Sequence, residues 1–231
     1  MADSLLVLSG LAVQGAVEKF IRPAFEKGTG IRLDVRWEPT TLIMKAMAAN
    51  EKADIVIVSD EAAGQLVQQG KTFADHQAKL ALAVLGVAVK AGAKKPDVST
   101  TDAFRKALLD ARSVAYSRAG ASGIHFEKLI EKLGIAEPVR AKATVIPSGM
   151  TAEQLVNGSK ADLAVQQISE LLTIDGIEVV GPYPPDLQFA TGFTAAIVKG
   201  SEKVESAAKF LKALTTAEAF KAYKNTGLEL R

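Results

Sequence analysis

The sequence predicts an α/β protein made of two lobes, each with a mainly parallel β-sheet flanked by helices. Short apolar runs typical of buried strands alternate along the chain with helical patterns of about 10–15 residues. Alternation of this kind favours parallel sheets that carry helices on their faces. The 231 residues, of which 48% are hydrophobic and 23% charged, are enough for one large or two small globular domains.

The first quarter of the chain shows the alternation clearly. Leu5–Leu8 is a continuous apolar run that predicts a buried strand, and Pro23 should kink or shorten the helix that follows. Ile31–Trp37 alternates apolar with charged residues and predicts a half-exposed strand. A helix should begin at Pro39–Thr41, and Ala53–Val58 predicts another buried strand. The inward face of the first helix is predicted to consist of Val13, Val17, Phe20, Ile21 and Phe25.

The rest of the chain continues this pattern. Ser59–Asp60 should cap a helix that ends at Gly70. The long apolar run Leu80–Val89 predicts an extended strand, and a helix should begin at Thr101 or Asp102. Two helices are predicted at the end of the chain. The later predicted strands are Ser113–Tyr116, Ala143–Ile146, Ala161–Gln167, Ile177–Val180 and Thr194–Val198.

The segment Ser113–His125 is the strongest candidate for a binding site. A predicted strand leads into a turn of small residues, Ser117–Gly123, and then into a helix. A helix start has unpartnered backbone N–H groups and a positive dipole end, and small side chains let an anion approach them. Arg118 adds a guanidinium that matches a carboxylate or another oxyanion; the alternative is an ordinary loop with a surface arginine. The apolar face of this helix is predicted to be Ile124, Leu129, Ile130 and Leu133, with Gly134 as its end.

Four further turns follow predicted strands, at Ser9–Ala12, Pro39–Thr41, Ser59–Asp60 and Gln166–Ser169. Most of them offer hydroxyl, amide or free backbone N–H groups. Parallel sheets bind ligands at the C-terminal ends of their strands, so we expect these turns to line a site. The predicted ligand-binding residues are Ser9, Gly10, Leu11, Thr40, Thr41, Ser59, Arg118, Ser122, Gly123 and Gln167.

Composition excludes several classes of protein. The net charge is only +2, no block of basic residues stands out, and one Trp with three Tyr forms no stacking series, so no nucleic-acid partner is predicted. The absence of cysteine excludes disulfides and thiol catalysis, and two distant histidines argue against a metal site. No cofactor is predicted. No apolar run approaches the ~20 residues of a membrane span, so direct membrane insertion is not expected.

In this order of elements the chain resembles the periplasmic molybdate-binding proteins and their paralogues, within the type II periplasmic binding proteins. The resemblance covers nearly the whole chain. The matching segments are Ala53–Asp60, Ala161–Gln167, Ala195–Gly200, Ala207–Leu211 and Thr216–Phe220.

This resemblance implies two lobes that close like a hinged clamp on a ligand in a central cleft. Lobe 1 would comprise residues 1–79 and 194–231, and lobe 2 residues 80–193, with hinge strands near 80–85 and 191–195. It also implies a periplasmic, monomeric protein that captures a small anion and delivers it to an ABC transporter permease. We expect Met1 to stand before a mature N-terminus, with the signal peptide absent.

The chain departs from the molybdate binders at the ligand itself. In those proteins two serines and a tyrosine typically bind a tetrahedral oxyanion. Here the resemblance places Ala12 at the first serine, with Ser9 nearby, Thr40 or Thr41 at the second, and Gln167 at the tyrosine. A dehydrated oxyanion cavity does not need a guanidinium such as that of Arg118, whereas a carboxylate gains a bidentate partner from one. A di- or tricarboxylate is therefore favoured over molybdate.

A subgroup of the same paralogues supplies a hypothesis of a different class, an enzyme. The segments Gly120–Gly123 and Gln166–Leu171 are similar to that subgroup, which includes aconitate isomerase, an enzyme that moves a proton across an allylic tricarboxylate. An isomerase would need an acid–base group beside the ligand, and His125 and Glu38 are the candidates. The alternatives are that His125 lies at the solvent edge of its helix and that Glu38 pairs with Arg36 or Lys45.

A third hypothesis, a ligand-sensing regulatory domain of the same fold, is weaker. The 231 residues contain no helix-turn-helix segment that would support it.

Overall fold

The computed structural model describes residues 4–157 and 160–231, which form two compact units. Unit 1 comprises Met1–Ala83 together with Thr191–Arg231, and unit 2 comprises Val84–Ala190. Met1, where the mature N-terminus was expected, lies outside the described residues. Strands and helices alternate through both units, so the predicted α/β class is confirmed.

The bounds of the elements are as follows. The strands are β1 (Ser4–Ser9), β2 (Arg32–Trp37), β3 (Ile55–Ser59), β4 (Thr72–Lys90), β5 (Val114–Ser117), β6 (Thr144–Ile146), β7 (Leu163–Gln167), β8 (Ile177–Pro182) and β9 (Ala190–Val198). The α-helices are α1 (Gln14–Ala16), α2 (Arg22–Thr29), α3 (Thr40–Ala48), α4 (Asp60–Gln68), α5 (Thr101–Asp110), α6 (Ala121–Lys132), α7 (Ala136–Arg140), α8 (Glu153–Val156), α9 (Ile168–Leu171), α10 (Val204–Ala213) and α11 (Ala217–Asn225).

In unit 1 the strands follow the order β2-β1-β3-β9. Strands β1, β2 and β3 are parallel, so their C-terminal ends lie at one edge, while β9 runs antiparallel to β3. The apolar runs of β1 and β3 are almost wholly buried, because apolar side chains on both faces pack under helices. The helices on one face pack through Phe25, Phe210 and Tyr223, and Ile43 and Leu66 lie on the other.

In unit 2 the order is β4-β7-β5-β6, and β8 pairs with β4. Strands β5, β6 and β7 are parallel, which brings their C-terminal ends to one edge, and β4 is antiparallel to both β7 and β8. The core on one face consists of the aromatic residues Phe104, Tyr116, Phe126 and Tyr183 with the apolar residues around them. Each unit therefore has its own core.

The first helix differs from its prediction. A π-helical turn spans Val17–Ile21, immediately before Pro23 in the first turn of α2. This turn provides the predicted distortion at the proline, but it also shifts the helical register. As a result Phe20, predicted to face inward, is 46% exposed, whereas Phe25 is buried.

Helix α6 also begins earlier than predicted. It begins at Ala121, within the small-residue turn, and ends as expected before Gly134, which has a left-handed φ of 66°. Phe126 is fully buried beside Leu129 and Ile130, whereas Ile124 is 41% exposed. At 3.6 residues per turn Ile124 lies opposite that buried stripe, so the predicted apolar face was wrong at Ile124.

The predicted start of β4 was too late. Strand β4 begins at Thr72 rather than at Leu80, so its first half continues within unit 1. The predicted start of α5 is confirmed, since the helix begins at Thr101 with Thr100 as its N-cap, whose side chain accepts a hydrogen bond from the amide of Ala103. Among the described residues, no helix has the length and apolar character needed to cross a membrane.

Candidate functional site

The turns after β1 and β2 contact each other at the C-terminal edge of the unit 1 sheet. The amide of Glu38 donates to the carbonyl of Ser9 at 3.0 Å, and the amide of Gly10 donates to the carbonyl of Ile57 at 2.8 Å. A Cβ at Gly10 would lie 2.8 Å from the ring of Phe193, so only glycine allows this close packing. The predicted residues Ser9 and Gly10 are therefore buried in a tight turn, and Leu11 follows them half-buried.

The turn after β3 lies at the same edge of the unit 1 sheet as the turns after β1 and β2. The amide of Ser59 lies 3.4 Å from Oγ1 of Thr40, and the Ser59 hydroxyl accepts from the amide of Ala62 as the N-cap of α4. Thr41, beside Thr40, is exposed. The structure thus brings the hydroxyl-bearing residues of these turns to one edge of the unit 1 sheet. The hydroxyl oxygens of Thr40 and Ser59 already accept hydrogen bonds there.

Glu38 lies at this edge as an ion-paired carboxylate. Its Oε2 is 3.3 Å from Nε of Arg36, which also pairs with Glu51 at 2.8 Å. Of the two alternatives weighed for Glu38, the pairing with Arg36 is the one that forms.

In unit 2 the turn between β5 and α6 is held by backbone contacts. The amide of Arg118 donates to the carbonyl of Ile146 at 2.8 Å, which fixes the turn beside the end of β6. A Cβ at Gly123 would lie 1.6 Å from the carbonyl oxygen of Ser117, so the first turn of α6 rests directly on the end of β5. Ser122 and Gly123 are buried there.

The side chain of Arg118 is exposed, and its guanidinium forms no hydrogen bond or close ion pair within residues 4–157 and 160–231. Its charge acts at longer range on Glu127, where it helps to lower the pKa of that carboxyl. The N-cap residue of α6, Gly120, has no side chain to accept from the first amides of the helix. An exposed guanidinium and uncapped helix amides therefore occur in the same turn, which favours an anion.

The loop between β6 and α8 connects this turn to the end of β7. Gln166 accepts from both the amide and the hydroxyl of Thr151 at 2.8 Å, and its Nε2 donates to the carbonyl of Gly149 at 3.1 Å. The same loop accepts from Ala119 through the carbonyl of Pro147. Sequence reasoning did not identify Gln166 as a support residue, because its partner lies 15 positions away.

Two buried polar groups at the end of β7 lack partners. Oε1 of Gln167 and Oγ of Ser169 are buried and have no hydrogen-bond partner among the described residues. Buried polar groups are usually paired, so orphaned ones mark a strained or functional place. Gln167 was predicted as a ligand residue; Ser169 was not.

His125 lies one turn into α6, stacked on Phe189 with the ring centroids 4.9 Å apart. Burial lowers the pKa of His125, opposed by a hydrogen bond with the backbone of Leu187. Its Nε2 is buried and has no partner among the residues that the structure describes. His125 is thus not a plain solvent-edge residue: it is a half-buried, mostly neutral imidazole with a free nitrogen.

The carboxyl side chain of Glu170 is buried in the same segment. Burial raises the pKa of Glu170 to about 7, against hydrogen bonds with the side chain of Gln166 and the backbone of Gln167. Such a shift is typical of carboxyl groups near functional sites, although structural groups show it too. The short helical pattern around Glu170 did not indicate that its carboxyl would be buried. Within the described residues no group of three or more His, Asp and Glu side chains could hold a metal ion.

Comparison with known proteins supports the fold and shows the family. A family model described as bacterial extracellular solute-binding protein matches residues 5–229, which is nearly the whole chain. The chain belongs to this family. The predicted resemblance to the molybdate-binding proteins and to aconitate isomerase is therefore confirmed.

Two relatives and one solved structure are similar to this chain over most of its length. An aconitate isomerase from Pseudomonas sp is 34% identical over 232 residues, covering 98% of this chain and 87% of the relative. The molybdate-binding protein ModA of Escherichia coli (strain K12) is 23% identical over 209 residues, covering 88% and 81%. The periplasmic molybdate-binding protein of Azotobacter vinelandii has a TM-score of 0.81 at 19% identity, covering 98% of this chain and 99% of that one. At that identity the structural likeness concerns the fold alone.

Proposed function

We propose that the protein binds a small di- or tricarboxylate. The observation that carries this proposal is the free, exposed guanidinium of Arg118 in the turn that leads into the uncapped start of α6. A guanidinium can bind one carboxylate through two parallel hydrogen bonds, and backbone amides at a helix start favour further negative charge.

The remaining predicted residues would complete the contacts. In unit 2 these are Ser122, Gly123 and Gln167, where the unpartnered Oε1 of Gln167 could accept from a hydroxyl or carboxylic acid group of the ligand. In unit 1 they are the strand-end residues Ser9, Gly10, Leu11, Thr40, Thr41 and Ser59. The relatives give further support, since molybdate and aconitate are both small anions and the relative named for the organic acid is the more similar in sequence.

We further propose that the protein acts as a monomer in the periplasm and presents its ligand to an ABC-type transporter. The description of its family as extracellular solute-binding supports this role. Calorimetric titration with citrate, cis- and trans-aconitate, sulfate and molybdate tests the ligand class. We expect binding of one or more of the organic acids, and tight binding of molybdate alone would contradict the proposal.

The second candidate function is the interconversion of trans- and cis-aconitate. The observation that favours it is His125, a mostly neutral imidazole whose buried Nε2 has no partner among the described residues. The aconitate isomerase that is 34% identical over 98% of this chain gives the hypothesis its substrate.

The interconversion of trans- and cis-aconitate needs one proton acceptor and no cofactor. A base removes a proton from the methylene carbon of aconitate, and the electron pair delocalises over the allylic carbons and their carboxylates. The proton then returns to the carbon that was vinylic, so the double bond moves. His125 would serve as the base, since a neutral imidazole near pH 7 is ready to accept a proton. Glu38 is the weaker candidate because Arg36 holds its carboxylate.

Incubation of trans-aconitate with the protein in deuterated water, followed by NMR, tests this function. An isomerase would form cis-aconitate and incorporate deuterium, and His125→Gln should lower the rate at least about 100-fold, the typical contribution of a general base. Glu38→Gln is the matched comparison and should have a much smaller effect. Binding without conversion or deuterium uptake would leave the protein as a solute-binding protein only.

A further inference from the structure

A second arginine lies at the strand-end edge of unit 1. The guanidinium of Arg231 forms an ion pair with Oδ2 of Asp60 through Nη2, and the other oxygen of Asp60 accepts from the hydroxyl of Thr194 at 2.7 Å. The Arg231 side chain is 23% exposed, against 44% for Asp60. Both oxygens of the carboxylate are thus engaged, and the guanidinium is held in a defined position.

The backbone that carries Arg231 is anchored. Leu82 and Glu229 form an isolated antiparallel bridge, with two hydrogen bonds of 2.8 Å each. Leu228, just before the bridge, is buried against the core of unit 1. Arg231 lies two residues beyond this bridge, so its approach to Asp60 is set by fixed backbone on one side and by the start of α4 on the other.

The strand beneath the pair leaves room for it. A Cβ at Gly192 in β9 would lie 2.0 Å from Nη2 of Arg231 and 2.1 Å from Oδ2 of Asp60. Any side chain at this position would displace the pair. Gly192 therefore has a specific role, which is to let the ion pair lie across the N-terminal end of β9.

This pair is adjacent to the predicted ligand-binding residues of unit 1. Asp60 follows Ser59, and Ser59 pairs in register with Phe193, the residue after Gly192. The ring of Phe193 packs against Gly10 in the turn after β1. Arg231 thus joins the edge formed by the turns after β1, β2 and β3, although it is far from them in sequence.

We propose that Arg231 is a further anion-binding residue, which neutralises Asp60 and offers its remaining N–H groups to a ligand carboxylate. Only Nη2 is bonded to Asp60, and Nη1 and Nε form no hydrogen bond with the described residues. Without Arg231, the exposed carboxylate of Asp60 would lie unpaired at an edge that receives an anion, and would repel it. The inference rests on the proposed function and adds to it a cation in unit 1.

Calorimetric titration of four proteins with citrate and trans-aconitate tests this role: wild type, Arg231→Ala, the double variant Asp60→Asn with Arg231→Ala, and the control Arg105→Ala. Arg231→Ala should weaken binding about 10- to 100-fold, the range for a lost charge-assisted hydrogen bond. The double variant should regain part of that loss, at least about threefold, because the unpaired carboxylate is gone. Arg105 is an exposed arginine of unit 2 that donates to the carbonyl of Leu133, and its loss should leave affinity unchanged.

Each outcome has a distinct meaning. Wild-type binding with unchanged affinity in Arg231→Ala would overturn the role of Arg231 and leave the proposed function standing. A loss in Arg231→Ala without any recovery in the double variant would contradict charge compensation. If the wild type binds none of the organic acids, the proposed function fails first and the inference falls with it. Thermal unfolding should show Arg231→Ala folded like the wild type, since an exposed ion pair contributes little to stability.

Discussion

The strand-end turns of the two units differ in how far their polar groups are satisfied. In unit 1, Thr40 and Ser59 are hydrogen-bonded and Glu38 and Asp60 are ion-paired. In unit 2, polar groups at the corresponding edge lack partners among the described residues, and the guanidinium of Arg118 is free. Unpaired buried groups cost free energy unless something else satisfies them. The comparison teaches that the protein itself satisfies most polar groups at the unit 1 edge, with the buried Oε1 of Gln14 as an exception, whereas in unit 2 the unpartnered groups of Gln167 and Ser169 accompany the exposed guanidinium of Arg118.

The largest expected effect comes from breaking the contact between α6 and β5. In Gly123→Ala the new Cβ would lie 1.6 Å from the carbonyl oxygen of Ser117. Overpacking of this kind should lower the free energy of unfolding by about 3 kcal/mol and displace the start of α6, so ligand binding should also be lost. Chemical denaturation measures the first effect and calorimetry the second.

Gly64→Ala is the matched control for that variant. Gly64 lies within α4 and has nothing within 4 Å of a new Cβ, so alanine should stabilise the protein by about 0.5–1 kcal/mol. Equal free energies of unfolding for the two variants would contradict the close packing of α6 on Ser117.

The next effect concerns Glu170 and pH. Its folded-state pKa of about 7 lies above the ordinary value, so the unfolded chain loses this proton first as pH rises. The contribution of Glu170 to the free energy of unfolding should therefore be largest below about pH 4.5 and fall, on the order of 3 kcal/mol, as pH rises to about 7. Glu170→Gln should remove this part of the pH dependence. Unfolding curves for both proteins between pH 4.5 and 8 measure it, and parallel profiles would show that Glu170 is not buried as a neutral acid.

The smallest effect is expected from a satisfied hydroxyl of unit 1. Ser59→Ala removes the N-cap of α4 and should cost about 0.5–1 kcal/mol of stability, because the capping contact is long at 3.4 Å. Its effect on ligand affinity should be smaller than that of losing Arg118, since the hydroxyl already has a partner. Thr100→Ala, which removes the N-cap of α5, is the control for stability alone. A large loss of ligand affinity in Ser59→Ala would contradict the view that this hydroxyl of unit 1 is already satisfied by the protein.

The fold was largely predictable because its strands carry local patterns. The buried run before Ser9 and the alternation before Glu38 predict β1 and β2 from a few neighbouring residues. The start of α6 was less predictable, since the small residues before Ile124 are typical of a loop, yet the helix already begins at Ala121. Helical periodicity alone does not set where a helix begins.

The site was predictable as a set of turns but not as a set of contacts. Parallel strands place their C-terminal ends together, so Ser9 and Thr40 could be expected at one edge. The pair Arg231–Asp60 joins residues 171 positions apart, and no local pattern indicates it. The burial of Glu170 depends likewise on the packing around it, which its short helical segment does not reveal.

The most direct test of the central claim is the calorimetric titration of the wild type and of Arg118→Ala with citrate and the aconitates. If the free guanidinium of Arg118 binds a carboxylate, its removal should cost about 1.5–3 kcal/mol of binding free energy. The free energy of unfolding should change by less than about 0.5 kcal/mol, because Arg118 is exposed and has no hydrogen bond to lose. Organic acids that bind both proteins with equal affinity would contradict the account.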